Sequence, residues 1–271
     1  MTDTPALKFN DGRAIPQLGF GTYQIDNDKA AEAVRTALDV GYRLVDTAAI
    51  YGNEEGVGEG LQGRDDIWLT TKIWNESQGY DRAQRAMDKC LSRLGRDSVD
   101  LVLIHWPCPD KGLAVETWKA LVDIRKSGKA KSIGVSNFRI RDLHDIIEAT
   151  GVTPALNQIE LHPTFQQRAL RAEHEELGII TQSWSPLGQG KGIDNPTIAA
   201  IANETGRNAA AVILRWHLQH GLCTIPKASS REHIAANFEA LDFELGAEQI
   251  ARIDALDDAN GRIGPDPSKF S

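Results

Sequence analysis

Short apolar segments alternate with longer amphipathic segments along the whole chain. Several of the short segments are apolar without interruption, as in the run Leu101-Val102-Leu103-Ile104. Such runs are typical of strands that are buried on both faces of a parallel sheet. On this pattern we predict eight strands, over residues 17–23, 43–47, 68–73, 101–105, 132–135, 157–161, 179–183 and 222–226.

The longer segments carry apolar residues at helical spacing. They predict helices over residues 29–40, 53–61, 82–94, 115–127, 139–150, 167–177 and 208–220, and a closing pair over 231–241 and 247–256. Many of these segments end at a glycine, the residue that most readily adopts the left-handed conformation at a helix C-terminus. These glycines are Gly41, Gly95, Gly128, Gly151, Gly178 and Gly221.

Eight strands that alternate with helices predict an α/β protein, a single (β/α)8 TIM barrel. A doubly wound open sheet is the alternative, because the same alternation permits it. The number of strands favours the barrel. No linker or low-complexity segment interrupts the alternation, so we expect one barrel domain over residues 1–271.

The composition excludes some classes of binding partner and indicates a cellular compartment. The net charge of -8 makes a nucleic acid or an anionic membrane an unfavourable partner. No stretch approaches the roughly 18 uninterrupted apolar residues of a membrane span. The three cysteines are widely spaced, which suits a reducing compartment, and the first residues lack the pattern of a signal peptide. We therefore expect a cytoplasmic protein.

Four candidate catalytic residues follow or end successive predicted strands. Asp46, Lys72 and His105 stand at three strand ends, and Tyr51 lies in the loop after the first of them. The C-terminal ends of barrel strands are where active sites of such barrels lie. Each residue alone is more often a solvated or satisfied polar group, but four at adjacent strand ends indicate a site.

This set suits the reduction of a carbonyl group. Hydride addition leaves an alkoxide that needs a proton, and a tyrosine with an ordinary pKa of about 10 is protonated at neutral pH. A neighbouring Lys72 is expected to lower the pKa of Tyr51 and ease donation. Asp46 would then position Lys72, while His105 would hydrogen-bond the carbonyl oxygen. We predict Tyr51 as the proton donor.

Several motifs resemble those of the aldo-keto reductase family. Residues 41–48 (Gly-Tyr-Arg-Leu-Val-Asp-Thr-Ala) with 51–54 (Tyr-Gly-Asn-Glu) are similar to its first signature, and 225–227 (Ile-Pro-Lys) to its last. Residues 134–138 (Gly-Val-Ser-Asn-Phe) and 157–163 (Asn-Gln-Ile-Glu-Leu-His-Pro) match its middle. The resemblance spans essentially the whole chain. It implies the barrel, an NADPH cofactor, and an intact catalytic tetrad.

The same resemblance implies which residues hold the cofactor. Ser136, Asn137 and Gln158 would meet the nicotinamide carboxamide, and Trp184 would stack on the nicotinamide ring. The remaining cofactor positions approach from the first strand, the loop near the pyrophosphate and the last signature; they are Gly21, Thr22, Ser185, Leu187, Gly188, Lys227, Ala228, Ser229, His233 and Asn237.

Residues 46–58 and 185–191 look most like those of the bacterial 2,5-diketo-D-gluconate reductases. The implied substrate is a small keto-sugar acid or another small aldehyde or ketone, held by Tyr23, Trp74, His105 and Trp106. The chain after Gly261 is a further candidate to hold the substrate, but it is short, so we expect the pocket to be open on that side.

The last signature departs from the family pattern at two positions. Ala228 replaces a serine, and His233 replaces an arginine that grips the 2′-phosphate of NADPH together with the lysine at Lys227. Arginine is always charged, whereas a histidine with an ordinary pKa of about 6.5 is mostly neutral at pH 7. We therefore expect NADPH to be used, with NADH accepted better than is usual for the family, unless nearby Arg231 takes over the phosphate.

Other interpretations are weaker. A non-catalytic dinucleotide-binding accessory protein is the alternative function, which the intact tetrad argues against. His217, His220 and Cys223 have a spacing that suggests zinc, but residues three apart at a helix end usually face different environments, so we predict no metal. No apolar element is left over for an interface, so we expect a monomer.

Overall fold

The computed structural model describes residues 4–271. Its main sheet has eight parallel strands in which each strand pairs with the next along the chain. The strands are β3 (Phe20–Gly21), β4 (Leu44–Asp46), β5 (Trp68–Ile73), β6 (Val99–Ile104), β7 (Ala130–Ser136), β8 (Leu156–Glu160), β9 (Ile180–Trp184) and β10 (Cys223–Thr224). Leu18 bridges Thr224 in parallel, which joins the first strand to the last and closes the barrel. The predicted barrel is confirmed and the open sheet is wrong.

Ten helices accompany the strands in the described residues. They are α1 (Asn27–Val40), α2 (Glu54–Gly60), α3 (Tyr80–Leu94), α4 (Ala114–Lys126), α5 (Ile140–Thr150), α6 (Arg168–Leu177), α7 (Pro196–Thr205), α8 (Ala209–Gln219), α9 (Arg231–Phe238) and α10 (Ala247–Asp254). Nine of these cover the predicted helical segments. No helix within residues 4–271 combines the length and the apolar character that a membrane crossing requires.

Two elements were not predicted from the sequence. Helix α7 begins after Asn195, whose side chain accepts a hydrogen bond from the Thr197 backbone at 2.9 Å, with Pro196 in the first turn. An asparagine cap followed by proline is a helix-start signal. The other element is the hairpin β1 (Ala6–Lys8) and β2 (Ala14–Pro16), whose turn contains Gly12 at φ 89°.

Successive residues of each strand face opposite sides of the barrel wall. In β6, Leu101 and Leu103 belong to an inner cluster with Phe9 and Ile15 of the hairpin, whereas Val102 belongs to the outer cluster beneath the helices. The hairpin therefore closes the N-terminal end of the barrel with apolar side chains.

The same alternation places a polar layer above the apolar one. Asp46 lies two residues after the inward Leu44, and Gln158 lies two residues after the inward Leu156, so each shares its strand's inner face. Lys72 pairs in register with inward-facing Leu103. Strand geometry thus brings these side chains together at the C-terminal end of the barrel, where parallel strands present their catalytic groups.

Candidate active site

The four predicted catalytic residues meet at the C-terminal end of β4, β5 and β6. Asp46 ends β4, Lys72 is the fifth residue of β5, and His105 directly follows β6. Tyr51 ends a short 3-10 turn over Ala49–Tyr51 that follows β4. The structure therefore brings together all four residues that the sequence singled out.

Asp46 and Lys72 form a fully buried ion pair. Nζ of Lys72 lies 2.5 Å from Oδ1 of Asp46 and also donates to the Thr47 carbonyl at 2.9 Å. Oδ2 of Asp46 accepts from the Gln158 amide at 2.8 Å. Burial raises the pKa of Asp46 and lowers the pKa of Lys72, and the opposite charge of each partner acts against that change. The added hydrogen bonds favour the charged forms, which would otherwise be costly in this environment.

Tyr51 lies above this pair. Its ring centroid is 5.1 Å from Nζ of Lys72 and 5.8 Å from the His105 ring centroid. Burial raises the pKa of Tyr51 well above 10, and the charge of Asp46 adds to the rise. The expected lowering by Lys72 is not observed, because Asp46 neutralises much of the lysine's charge. The phenol is therefore protonated at neutral pH.

His105 is neutral in this site. Burial first, and then the positive charge of Lys72, lowers the pKa of His105 well below 6.5. Its Nδ1 atom is buried and has no hydrogen-bond partner within residues 4–271. A buried polar atom without a partner is uncommon in native structures. A neutral imidazole can still donate one hydrogen bond, which is the role predicted for it toward a carbonyl oxygen.

A buried polar network holds the loop that carries Tyr51. Asn53 accepts a hydrogen bond from the Thr47 hydroxyl at 2.8 Å, and its amide donates to two backbone carbonyls of the loop after β3. Glu54, the first residue of α2, accepts from the Thr71 hydroxyl of β5 at 2.6 Å. These bonds fix both ends of the turn, so the phenol is held by side chains that its own signature motif supplies.

The residues predicted to meet the nicotinamide are joined to one another. Trp184 donates from Nε1 to Oδ1 of Asn137 at 2.8 Å, and the Asn137 amide nitrogen donates to the His105 carbonyl and to the Ser136 hydroxyl, each at 3.0 Å. Asn137 adopts a left-handed conformation, φ 64°. The amide of Asn137 therefore fixes Trp184. Oε1 of Gln158 accepts no hydrogen bond from any residue within 4–271. That Ser136, Asn137 and Gln158 meet a nicotinamide carboxamide stays a prediction.

The other predicted cofactor residues lie at the C-terminal ends of the neighbouring strands β9, β10 and β3. Thr22, just after β3, is buried and donates from its hydroxyl to the Asp46 carbonyl at 3.0 Å. Ala228 and Asn237 are buried, whereas Lys227, Ser229 and His233 are exposed. The set lies along one edge of the barrel mouth: Gly21 in β3, Ser185, Leu187 and Gly188 after β9, Lys227, Ala228 and Ser229 after β10, and His233 and Asn237 on α9.

Aromatic side chains that are predicted to hold the substrate flank the tetrad. Tyr23 packs on Tyr51 with ring centroids 5.1 Å apart, and Trp74 packs on His105 at 5.0 Å. The expectation that the C-terminal tail leaves this side open is wrong. Phe270 packs against Trp106, with ring centroids 4.5 Å apart, and against Trp74 at 6.3 Å. The tail therefore covers these aromatic side chains through contacts between residues that are far apart in the sequence.

His217 and Cys223 belong to the spacing that suggests zinc in the sequence. In the structure both residues have other partners. The His217 ring bonds the Ser183 hydroxyl at 3.1 Å and faces the Pro186 carbonyl at 3.3 Å. Cys223 accepts from the Gln182 amide at 3.1 Å. Within residues 4–271 no group of three or more histidine, cysteine, aspartate or glutamate side chains is arranged to hold a metal ion.

Comparison with known proteins agrees with this geometry. The model of the Aldo/keto reductase family matches residues 17–192 and 193–258. An aldo-keto reductase of Mycobacterium sp. (strain JLS) is 46% identical, over 98% of each chain. Methylglyoxal reductase DkgA of Escherichia coli (strain K12) is 44% identical, over 100% of this chain and 99% of the relative. A crystal structure of a mutant of Gox0644 in complex with NADPH superposes with a TM-score of 0.97 at 48% identity, over 99% of each chain.

The chain belongs to the aldo-keto reductase family. It is an oxidoreductase, and the resemblance stated from its motifs is confirmed.

Proposed function

We propose that this protein is an NADPH-dependent reductase of small aldehydes and ketones, with Tyr51 as the proton donor. One observation carries the proposal: a protonated tyrosine and a neutral histidine converge above a buried Asp46–Lys72 pair. An accessory protein without activity would have no need of a buried charge pair beneath a tyrosine, because such pairs rarely add net stability.

The residues present suit a nicotinamide cofactor. Within residues 4–271, His105 supplies a buried ring nitrogen without a partner, Gln158 supplies a carbonyl oxygen that accepts no hydrogen bond, and Trp184 supplies a flat ring fixed by Asn137. When bound, NADPH supplies the hydride that reduces the carbonyl carbon. Trp184 and Gln158 would orient the nicotinamide, and Lys227 would meet the 2′-phosphate at the exposed edge. The NADPH complex of the 48% identical Gox0644 mutant supports this choice of cofactor.

The residues of the chain itself then deliver one proton to the substrate oxygen. Tyr51 makes no hydrogen bond to another group within residues 4–271, so its hydroxyl is available to a substrate oxygen. Donation of that proton leaves a phenolate, which the Lys72 ammonium group 5.1 Å from the ring centroid stabilises. Asp46 keeps Lys72 in place, and neutral His105 donates a hydrogen bond to the same substrate oxygen.

The walls of the pocket favour small carbonyls. Tyr23, Trp74, Trp106 and Phe270 provide aromatic faces, and no arginine or lysine in the described part of the chain, residues 4–271, lies over their rings. This supports compounds such as methylglyoxal, the substrate in the name of the DkgA relatives. A 2,5-diketo-D-gluconate-like keto-sugar acid is the substrate that the motif resemblance supports.

A panel of carbonyl compounds tests the proposal. Oxidation of NADPH would be followed with methylglyoxal, a keto-sugar acid and a neutral aromatic aldehyde, ranked by kcat/KM. We expect turnover with at least one of them and none in the absence of a carbonyl compound. Tight NADPH binding without turnover of any compound would support the accessory protein instead.

Three further properties of the chain stay predictions. We propose that residues 1–271 act as one domain, that the protein is monomeric, and that it works in the cytoplasm. The three cysteines are unpaired and buried, which suits a reducing compartment.

A further inference from the structure

Glu160, the last residue of β8, has a side chain that is completely buried inside the barrel mouth. It sits beside His162, whose Nε2 lies 3.2 Å from Oε1. Burial by itself would raise the pKa of Glu160, but hydrogen bonds from His162 and from two backbone amides outweigh it and leave the pKa below its ordinary value. The carboxylate is therefore charged, and the tetrad does not use it.

The two backbone amides belong to the C-terminal tail. Ile263 donates to Oε1 at 2.6 Å and Gly264 donates to Oε2 at 2.9 Å, across more than 100 residues of sequence. Arg262 adds a charge, its Nη1 atom 3.8 Å from Oε2. A carboxylate that accepts two backbone amides makes strong, charge-assisted hydrogen bonds. Glu160 thus ties the tail to the end of β8.

The tied segment lies directly on Trp184. Trp184 is the register partner of Glu160 on β9. A Cβ atom added to Gly264 would lie 2.4 Å from a ring carbon of Trp184 and 2.9 Å from Oε2 of Glu160. Only glycine lets the backbone approach both groups this closely. From this point the tail continues to Phe270, which packs on Trp106.

We propose that Glu160 is a positioning residue that anchors the C-terminal tail, so that Gly264 braces Trp184 and Phe270 forms a wall of the substrate pocket. The kinetic part of this proposal rests on the proposed function, whereas the anchoring itself does not. Glu160 holds the start of the tail, and Phe270 stands near its end. Loss of either side chain should therefore impair the pocket in the same way.

Amide hydrogen exchange on the full chain tests the anchor without any assay of activity. Glu160→Gln keeps the shape but replaces one accepting oxygen with an amide group that faces a backbone N–H. We expect peptides covering residues 262–270 to exchange about 10- to 100-fold faster, the range for loss of a hydrogen bond to a charged group. Helix α5 serves as an internal reference, since its exchange changes only if the whole barrel is destabilised. Glu176→Gln, at an exposed position of α6, is the matched control.

A double-mutant cycle tests the consequence for the pocket. Glu160→Gln and Phe270→Ala should each raise KM for a small carbonyl by about 2- to 10-fold, the range for an aromatic contact, with kcat changed less than KM. The double variant should be no worse than the worse single variant, because both changes remove the same wall. Phe270→Ala also keeps the test valid if Glu160→Gln fails to fold.

Three results would overturn the proposal: unchanged exchange of residues 262–270 in Glu160→Gln, effects on KM that multiply in the double variant, or a loss confined to kcat. Absence of turnover in the unsubstituted protein would instead count against the proposed function and leave the exchange result standing.

Discussion

Two sides of the barrel mouth contrast in how they hold their polar groups. At the ends of β4–β6, Asp46 and Lys72 are buried and bonded to each other. At the edge formed by β10 and α9, Lys227, Ser229 and His233 are exposed, and none of their side chains bonds another group within residues 4–271. The side chains on the first side are fixed by their bonds to one another, while those on the second side face solvent and would be ordered only by a bound ligand.

This difference follows from electrostatics. Charges in a dry interior interact strongly, so a misplaced or missing partner there is costly. Exposed charges around a phosphate are screened by water, and each contributes modestly. The buried side carries all four residues of the tetrad that the motif resemblance implies, whereas both departures from the implied pattern, Ala228 and His233, lie on the other side. Substitutions should therefore have large effects on the first side and small ones on the second.

The largest expected effect is that of Tyr51→Phe. Removal of the hydroxyl should lower kcat by about 10²–10⁴-fold, the usual worth of general acid catalysis, while NADPH binding stays nearly unchanged. Steady-state kinetics and cofactor titration measure the two quantities. Tyr80→Phe is the control, because Tyr80 is exposed and its hydroxyl donates to Asp123 on the surface. More than about a tenth of the original kcat in Tyr51→Phe would exclude it as the proton donor.

Next come the two halves of the buried pair. Lys72→Met removes the positive charge beneath the phenol and should lower kcat by about 10²–10³-fold. Asp46→Asn keeps the lysine and only loosens its placement, so its loss should be smaller. Thermal unfolding of both variants separates catalysis from stability, since breaking a buried pair costs about 3–5 kcal/mol. The assignment of roles fails if Asp46→Asn is consistently the slower variant.

A smaller effect is expected at the exposed edge. His233→Arg should raise the ratio of kcat/KM for NADPH over NADH by about 5- to 10-fold, the worth of one charge-assisted hydrogen bond near the surface. Arg231→Ala is the matched comparison, because Arg231 points toward Asp39, with 4.0 Å between Nη1 and Oδ2. An unchanged ratio in His233→Arg, with a fall in Arg231→Ala, would assign the 2′-phosphate to Arg231.

The smallest expected change is in the pH profile of the buried side. The pKa of His105 is lowered well below 6.5. The ring therefore stays neutral as the pH falls through 6.5. The pKa of Tyr51 is raised well above 10, so the phenol stays protonated as the pH rises toward 10. With saturating NADPH and substrate, kcat should be nearly constant from about pH 6.5 to 9. A sigmoidal fall centred near pH 6.5 or pH 8 would contradict one of these two directions.

Local pattern alone predicted much of the architecture and the central site. Each of the eight barrel strands overlaps one of the short segments that the sequence predicts as strands. Because alternate residues of a strand face the same side, Asp46 shares the inner face with Leu44. The tetrad could be found because its members occupy the ends of consecutive strands or the loop just after one. Helix α7 also has a local start signal in the sequence, the Asn195 cap followed by Pro196.

The amino-acid sequence by itself determined the order of the strands and helices, the residues at the strand ends, and the departures at Ala228 and His233. These depend on neighbouring residues, which a local pattern records. Only the tertiary structure decided that the pKa of Tyr51 rises, because that depends on the depth of burial and on Lys72 being paired with Asp46. It also decided that the tail crosses the pocket, since the bonds from Ile263 and Gly264 to Glu160 join segments more than 100 residues apart, and no local pattern records such a contact.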